Sequence, residues 1–168
     1  MFSRDVPAAL RALDTLVDPD YADVFTATAT EPPGRPLDQW LRSTLDGVPT
    51  ALSRLPFHVQ RDVLRLRLEA RPSPDRVWGW AVAARGDDWL RLEATGPLMT
   101  AHLLFHADGR DLAMGTFVRY EQRLAALVWP PVSLLHRQVG LVLMRRVAAG
   151  PPTRERPARP PAPAARHR

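Results

Sequence analysis

The alternation of apolar and polar residues predicts a β-hairpin in the middle of the chain. The alternating runs Val77–Ala84 and Trp89–Thr95 are separated by a four-residue segment that contains Gly86. Glycine adopts positive φ at no steric cost, so we expect Gly86 to supply the positive φ of a two-residue hairpin loop. The register that follows from such a loop places Leu92 opposite Ala81.

A second hairpin is predicted immediately afterwards. The alternating runs Thr100–Ala107 and Asp111–Tyr120 surround the dipeptide Asp108-Gly109. Asp-Gly between alternating runs is among the strongest short-range hairpin signals. As a two-residue loop it places Leu103 opposite Met114.

The predicted turns all place the apolar residues on the same face of the sheet. A turn at Gly96-Pro97 joins the two hairpins and sets Leu92 beside Ala101. Register is well specified here, because a slip of one residue would move every apolar side chain to the opposite face. That opposite face is mixed, as is typical where an antiparallel sheet meets solvent. It is expected to carry Trp78, Trp80, Val82, Trp89, Arg91, Glu93, Thr100, His102, His106, Phe117 and Arg119.

A long helix is predicted from Leu124 to Val147. Pro130-Pro131 suits a first helical turn, where a missing N–H costs little. Arg145 and Arg146 complement the helix dipole in the last turn, and Gly150 follows as a stop. One apolar face recurs at i, i+3, i+4 and i+7 spacing, formed by Val132, Leu135, His136, Val139, Val142 and Leu143.

The first half of the chain contributes one strand and several helices. Asp5 is expected to cap a short helix with Leu10, Leu13 and Val17 on its apolar side. Tyr21–Thr28 predicts the first strand. Helices are expected at 37–46, 50–55 and 59–68, and the proline-containing segments between them break the chain.

This order of elements predicts an α+β fold of the helix-grip type, a curved antiparallel sheet packed on a long C-terminal helix. We divide the chain into an N-terminal segment (1–20), a helix-grip domain (21–149) and a disordered Pro/Arg/Ala-rich tail (150–168). At 168 residues the chain is long enough for a real core.

Composition excludes several kinds of chemistry. The sequence has no cysteine, which removes disulfides and thiolate chemistry, and no lysine, which removes Schiff-base catalysis. Hydrolase, phosphate-loop and HExxH motifs are also absent, and we expect no cofactor. The net charge of +5 lies mostly in residues 151–168, so we expect no nucleic-acid partner. No membrane-spanning run or secretory signal is evident, and we expect a cytoplasmic protein.

Four short stretches resemble a bacterial domain-of-unknown-function family associated with the START-like, helix-grip (SRPBCC) superfamily. They are Asp23-Val24-Phe25, Asp88–Ala94, Thr116–Tyr120 and Leu135-His136-Arg137, and the similarity spans 21–147. The resemblance implies a ligand cavity between the sheet and the final helix, but no particular reaction. Some relatives look like C-terminal partners of short-chain-dehydrogenase-like domains, whereas this sequence has no GxGxxG motif.

The first functional hypothesis is therefore a domain that binds a small apolar or amphipathic molecule. The alternative explanation of the same residues is an ordinary packed core, because apolar sheet and helix faces are buried with or without a ligand. The candidate ligand-binding residues are Leu92, Met99, Leu103, Phe105, Met114, Thr116, Tyr120, Trp129, Leu135, His136 and Val139.

His136 carries the second hypothesis, an enzyme of the cyclase or dehydratase type. A histidine beside an apolar stripe is able to act as a general base, although such residues are more often satisfied core histidines. The sequence alone does not decide whether the protein is an enzyme, and we prefer a binding role.

Two clusters of ionisable residues are expected on the opposite sheet face. Arg91, Glu93 and His102 combine an acid and a base, but cross-strand charge pairs on a solvated face are the commoner explanation. His102 and His106 share a face without enough further ligands, so we expect no metal.

The third hypothesis is a non-catalytic interaction or dimerisation surface formed by Trp78, Trp80 and Trp89. Clustered exposed aromatic residues often mark an interface, unless another part of the chain covers them. The sequence leaves monomer and homodimer open.

Overall fold

The computed structural model describes residues 1–45, 55–69 and 73–150. Most of the helix predicted at 50–55 and all but the first residue of the tail at 150–168 lie outside this part of the chain. Within it, no helix is both long enough and apolar enough to cross a membrane.

The protein is an α+β protein whose centre is a curved antiparallel sheet. In the described ranges the sheet has seven strands in the order β1-β2-β7-β6-β5-β4-β3. The strands are β1 (Phe2–Ser3), β2 (Tyr21–Thr28), β3 (Arg76–Val77), β4 (Trp80–Arg85), β5 (Trp89–Thr95), β6 (Met99–Asp108) and β7 (Asp111–Tyr120). The helices are α1 (Ala8–Ala12), α2 (Leu37–Leu45) and α3 (Ala125–Ala149), with a π-helical turn at Val59–Val63.

The second hairpin forms, but its register differs by two residues from the predicted one. Asp108 pairs with Asp111, so the loop is Gly109-Arg110, with Gly109 at φ 59°. Leu103 consequently lies opposite Thr116, where Met114 was predicted. A shift of two residues keeps every side chain on its predicted face, because the side-chain period of a strand is two.

The same offset occurs at the turn between the hairpins. Leu92 pairs with Leu103, where Ala101 was predicted. The loop is longer than predicted, because Thr95 pairs with Thr100. The apolar face is nevertheless assembled from the predicted residues, since the difference is again even.

The first hairpin differs from the prediction in which residues of β4 face the core. Three residues, Gly86–Asp88, separate β4 from β5, and a bulge interrupts the pairing between Val82 and Ala84. Leu92 therefore pairs with Val82, and the predicted pair with Ala81 is wrong. Gly86 does not have the predicted positive φ. Its lack of a side chain leaves room for the ring of Trp89, because a Cβ at position 86 would lie 2.3 Å from Nε1 of that ring.

This shift separates the three tryptophans. Trp80 is buried in the core on the inner sheet face, where its Nε1 donates to Oε1 of Gln60 at 3.2 Å. Trp78 packs against the same core, whereas Trp89 packs on the opposite face. The prediction that Trp78, Trp80 and Trp89 share one face of the sheet is therefore wrong.

Two helices cover the inner face of the sheet. Helix α3 crosses β2 and β7, and α2 lies over β5 and β6 and also contacts α3. Helix α3 begins at Ala125, one residue after the predicted start, so Pro130 and Pro131 lie inside it and not in its first turn, where they were predicted. The prediction that Val142 faces the sheet is also wrong, since it is 48% exposed. The buried stripe is Ala125, Trp129, Ser133, Gly140, Leu143, Met144 and Val147.

The opposite sheet face is covered by the N-terminal segment. β1 pairs with β2, and the short helix α1 packs on the sheet. Asp5 is not its cap, because Pro7 precedes the helix and no side chain caps it. Val17, predicted on the apolar side, is 66% exposed. The second core consists of Val6, Leu10, Val24, Leu104 and Phe117.

Candidate functional site

A carboxylate lies in the core between the sheet and α3. Asp23 occupies the middle of β2 and pairs with Thr116 of β7, and its side chain is completely buried. The alternation of β2 turns Tyr21 and Phe25 to the same inner face as Asp23. The hydroxyl of Tyr21 donates to Oδ2 of Asp23. A buried carboxylate must be hydrogen-bonded or paired with a charge, so the surrounding groups decide its role.

His136 of α3 meets this carboxylate from the helix side. Its Nε2 lies 3.4 Å from Oδ2 of Asp23 and 3.1 Å from Oγ1 of Thr116. The ring packs against Phe25 and Trp129, with centroid separations of 5.4 and 5.7 Å. Both polar contacts use the same ring nitrogen, so this is not a nucleophile–histidine–acid triad, in which the two partners contact opposite nitrogens.

Three buried polar atoms near this contact have no hydrogen-bond partner in the described part of the chain. They are Oδ1 of Asp23, Nε1 of Trp129 and Nε of Arg137. An unpaired buried polar group costs about 1–3 kcal/mol, and native proteins rarely leave several together. The set comprises one acceptor and two donors.

Arginines and aromatic rings form the edge of the site nearest β1. The guanidinium of Arg4 stacks over the ring of Tyr21 at 3.9 Å, and that of Arg137 lies 4.9 Å from the centroid of the Phe2 ring. Burial and the Asp23 carboxylate raise the pKa of Tyr21, and Arg137 and Arg4 partly offset this. The phenol is therefore neutral at physiological pH and available as a hydrogen-bond donor.

Tyr120 lies near the same edge, at the end of β7. Its backbone N–H donates to Oδ2 of Asp20 at 2.6 Å. Burial and Asp20 raise the pKa of its phenol, and Arg4 lowers it. Tyr120 thus borders the arginine side of the site.

The remaining sequence candidates divide into two groups. Leu92 and Met99 are fully buried in the apolar core of the inner sheet face. Their neighbours on the inner face are similarly packed, namely Leu103, Phe105 and Met114. Leu135 and Val139 are half-buried on the flanks of α3. Among the sequence candidates, Thr116, Trp129 and His136 are the ones that the structure brings together around Asp23.

A second polar cluster lies under the N-terminal segment. Nδ1 of His102 lies 2.6 Å from Oδ1 of Asp14, and its Nε2 lies 3.6 Å from Oε1 of Glu93. Arg91 donates to Glu93 at 3.0 Å and to the carbonyl of Leu13 at 3.1 Å. The predicted solvated face is wrong here, because His102 and Asp14 are both buried.

The register of the strands positions the members of this cluster. Glu93 pairs with His102, and Arg91 pairs with Leu104. His106 lies 3.8 Å from Asp88 and pairs with Ala113. Across the described ranges, no three His, Cys, Asp or Glu side chains are grouped in a way that could hold a metal ion.

Sequence reasoning missed Asp23 and Tyr21 as site residues. The available signal was an acid at an inward position of an otherwise apolar strand, with an aromatic hydroxyl two residues before it on the same face. Compared with protein families, curated proteins and solved structures, the chain matches none. Function must therefore be inferred from the contacts of the site itself.

Proposed function

We propose that this protein binds a small amphipathic molecule at the Asp23–His136 site. The polar end of the molecule would contact Asp23, and its apolar part would lie against Trp129 and Phe25. The observation that carries the proposal is the buried carboxylate of Asp23, which has one oxygen unpaired, while Trp129 and Arg137 each carry an unpaired buried donor. Pockets that hold small molecules combine apolar walls with a few convergent polar groups of this kind.

The charges suggest the chemical class of the polar end. Asp23 needs a donor for Oδ1, while Trp129 and Arg137 need an acceptor. A neutral hydroxyl, carboxamide or protonated carboxyl group supplies both, whereas an ammonium supplies donors only and a carboxylate acceptors only. A neutral head group also avoids transferring a further charge into the core.

The proposed class of fold is the helix-grip fold of START-like proteins. The long C-terminal helix packed across a curved antiparallel sheet supports it. The proposed ligand site differs in position from the broad apolar cavity that the sequence suggested. It lies where β2 and β7 meet α3, away from the packed side chains of Leu92 and Met99.

The test is native mass spectrometry of the full chain, purified without added ligand and measured again after denaturation. We expect a bound small molecule that is lost on denaturation and is absent from Asp23→Asn and Trp129→Phe variants. Asp38→Asn is the matched control, because Asp38 of α2 is another poorly exposed acid. Its carboxylate pairs with Arg85 at 3.2 Å. Bound molecule that persists in Asp23→Asn, or disappears equally in Asp38→Asn, would contradict the proposal.

A second candidate function is acid–base catalysis by His136. The observation in its favour is the contact between Nε2 and the buried Asp23, because a carboxylate partner orients an imidazole and fixes its tautomer. Nε2–H would donate toward Asp23 and Thr116, leaving the Nδ1 lone pair as base. Incubation with the wild-type protein should then change the mass of any ligand recovered above, and incubation with His136→Gln should leave that mass unchanged. An unchanged mass would leave binding as the only role of the site.

A further inference from the structure

The side of α3 that faces away from the sheet is almost as apolar as the side that faces it. Leu127 is 75% exposed, Leu134 61% and Val142 48%, and Leu124, just before the helix, is 52% exposed. These residues recur at spacings of three, seven and eight, which places them on one side of a helix. We call this set, together with Pro131, the outer stripe.

The outer stripe lies opposite the buried one. With 3.6 residues per turn, Leu127 and Leu134 point about half a turn away from Trp129, Ser133 and Gly140, which face the sheet. Gln138 and Arg145 are the polar residues that interrupt it. A helix that is apolar on all sides is normally buried on all sides, so the outer stripe calls for a partner.

The charge of the helix indicates what kind of partner fits. From Ala125 to Ala149 the sequence contains Arg137, Arg145 and Arg146 and no acidic residue. The following 18 residues have a net charge of +4, from Arg154, Arg156, Arg159, Arg166 and Arg168 against Glu155. A second copy of α3 would offer no carboxylate to Arg145, which lies on the outer stripe, whereas an anionic lipid surface complements it.

We propose that the outer stripe of α3 docks on an anionic lipid bilayer. The helix lies in the plane of the interface, with Leu127, Leu134 and Val142 inserted among the upper acyl chains. Arg145 contacts the anionic head groups. Interfacial helices bind in this way, by apolar burial combined with attraction to negative lipids. With 25 residues, the helix offers a contact about 37 Å long.

The test uses the full chain and vesicles of two compositions, pure phosphatidylcholine and phosphatidylcholine mixed with phosphatidylglycerol. We expect the protein to float with the mixed vesicles and to be released as salt is raised. The double variant Leu127→Gln/Leu134→Gln should lower the partition coefficient at least about tenfold, since two exposed leucines no longer enter the apolar phase. Circular dichroism checks that the variant is folded.

Val17→Gln is the matched control, because Val17 is 66% exposed on a different part of the surface. It should partition like the wild type. Three results would overturn the proposal: no flotation with either vesicle, equal flotation with both, or mixed-vesicle binding that the double variant retains. If sedimentation gives the mass of a dimer for the wild type and of a monomer for the double variant, the outer stripe binds a second copy of the chain instead.

Discussion

Gly140 of α3 lies directly on the ring of Phe25 of β2. A Cβ at position 140 would be 2.6 Å from Cζ of that ring, far inside van der Waals contact. The helix therefore approaches the sheet at this point with no side chain between them. His136 lies one turn earlier on the helix, and Asp23 lies two residues earlier on the strand. The close approach thus brings His136 and Asp23 into contact.

Replacing Gly140 with alanine is expected to destabilise the protein by about 1–2 kcal/mol. Alanine is favoured over glycine in a helix by about 1 kcal/mol, but the added methyl group must displace the fully buried ring of Phe25. Urea unfolding of the two proteins measures the difference. Gly34→Ala is the control, because nothing lies within 4 Å of a Cβ there, and it should change stability by less than about 0.5 kcal/mol. Stabilisation by Gly140→Ala would show that the helix does not sit on Phe25.

The buried pair of His102 and Asp14 is expected to fasten the N-terminal segment to the sheet. Asp14→Ala and His102→Gln should each cost about 1–3 kcal/mol, because each leaves a buried polar partner unsatisfied. A double-mutant cycle should give a coupling energy above about 0.5 kcal/mol. Asp88→Ala serves for comparison, since Asp88 is 63% exposed beside His106 and should have little effect. Additive single effects would argue against a direct contact.

Tyr21 should ionise at higher pH than the ordinary value of 10.0 for tyrosine, because burial and Asp23 raise its pKa. Since the pKa is higher in the folded state than in the unfolded state, its contribution to stability is fully present below about pH 10. It is lost as the pH rises through the folded-state pKa. Phenolate absorbance in a Tyr120→Phe background reports Tyr21 alone, because the chain has two tyrosines.

In that background Asp23→Asn should move the phenolate transition to lower pH. The substitution removes the negative charge that opposes ionisation of Tyr21. A transition that moves the other way, or not at all, would show that Asp23 does not contact the phenol.

The sheet and the final helix could be predicted because side-chain periodicity is a local property. The inner positions of β5, β6 and β7 were correct although their registers were displaced, since a displacement of two residues leaves the faces unchanged. β4 was placed on the wrong face, because the loop after it has three residues and Gly86 gives no sign of its length. The placement of Pro130-Pro131 in the first turn of α3 was wrong, because the helix already begins at Ala125.

The candidate site was only partly predictable, for a different reason. His136 and Thr116 stood out as polar residues at inward positions, and the structure joins them at 3.1 Å. Asp23 is remote from both in sequence, so no spacing connected it with them. The contact of Asp14 with His102 spans 88 residues and was likewise invisible to local patterns. Such contacts depend on how the elements pack, which the periodicity of each element does not contain.

The most direct test of the proposed site observes the indole N–H of Trp129 by NMR. The chain has five tryptophans, and the Trp129→Phe spectrum assigns the signal. Octanamide, octan-1-ol and octanoic acid are added in turn, with octylammonium as the mismatched head group. The account predicts that the amide, alcohol or protonated acid moves the Trp129 proton downfield, because its unpaired Nε1 gains an acceptor, and that Asp23→Asn weakens the effect. A Trp129 signal that none of these compounds moves, or that octylammonium moves equally, would contradict it.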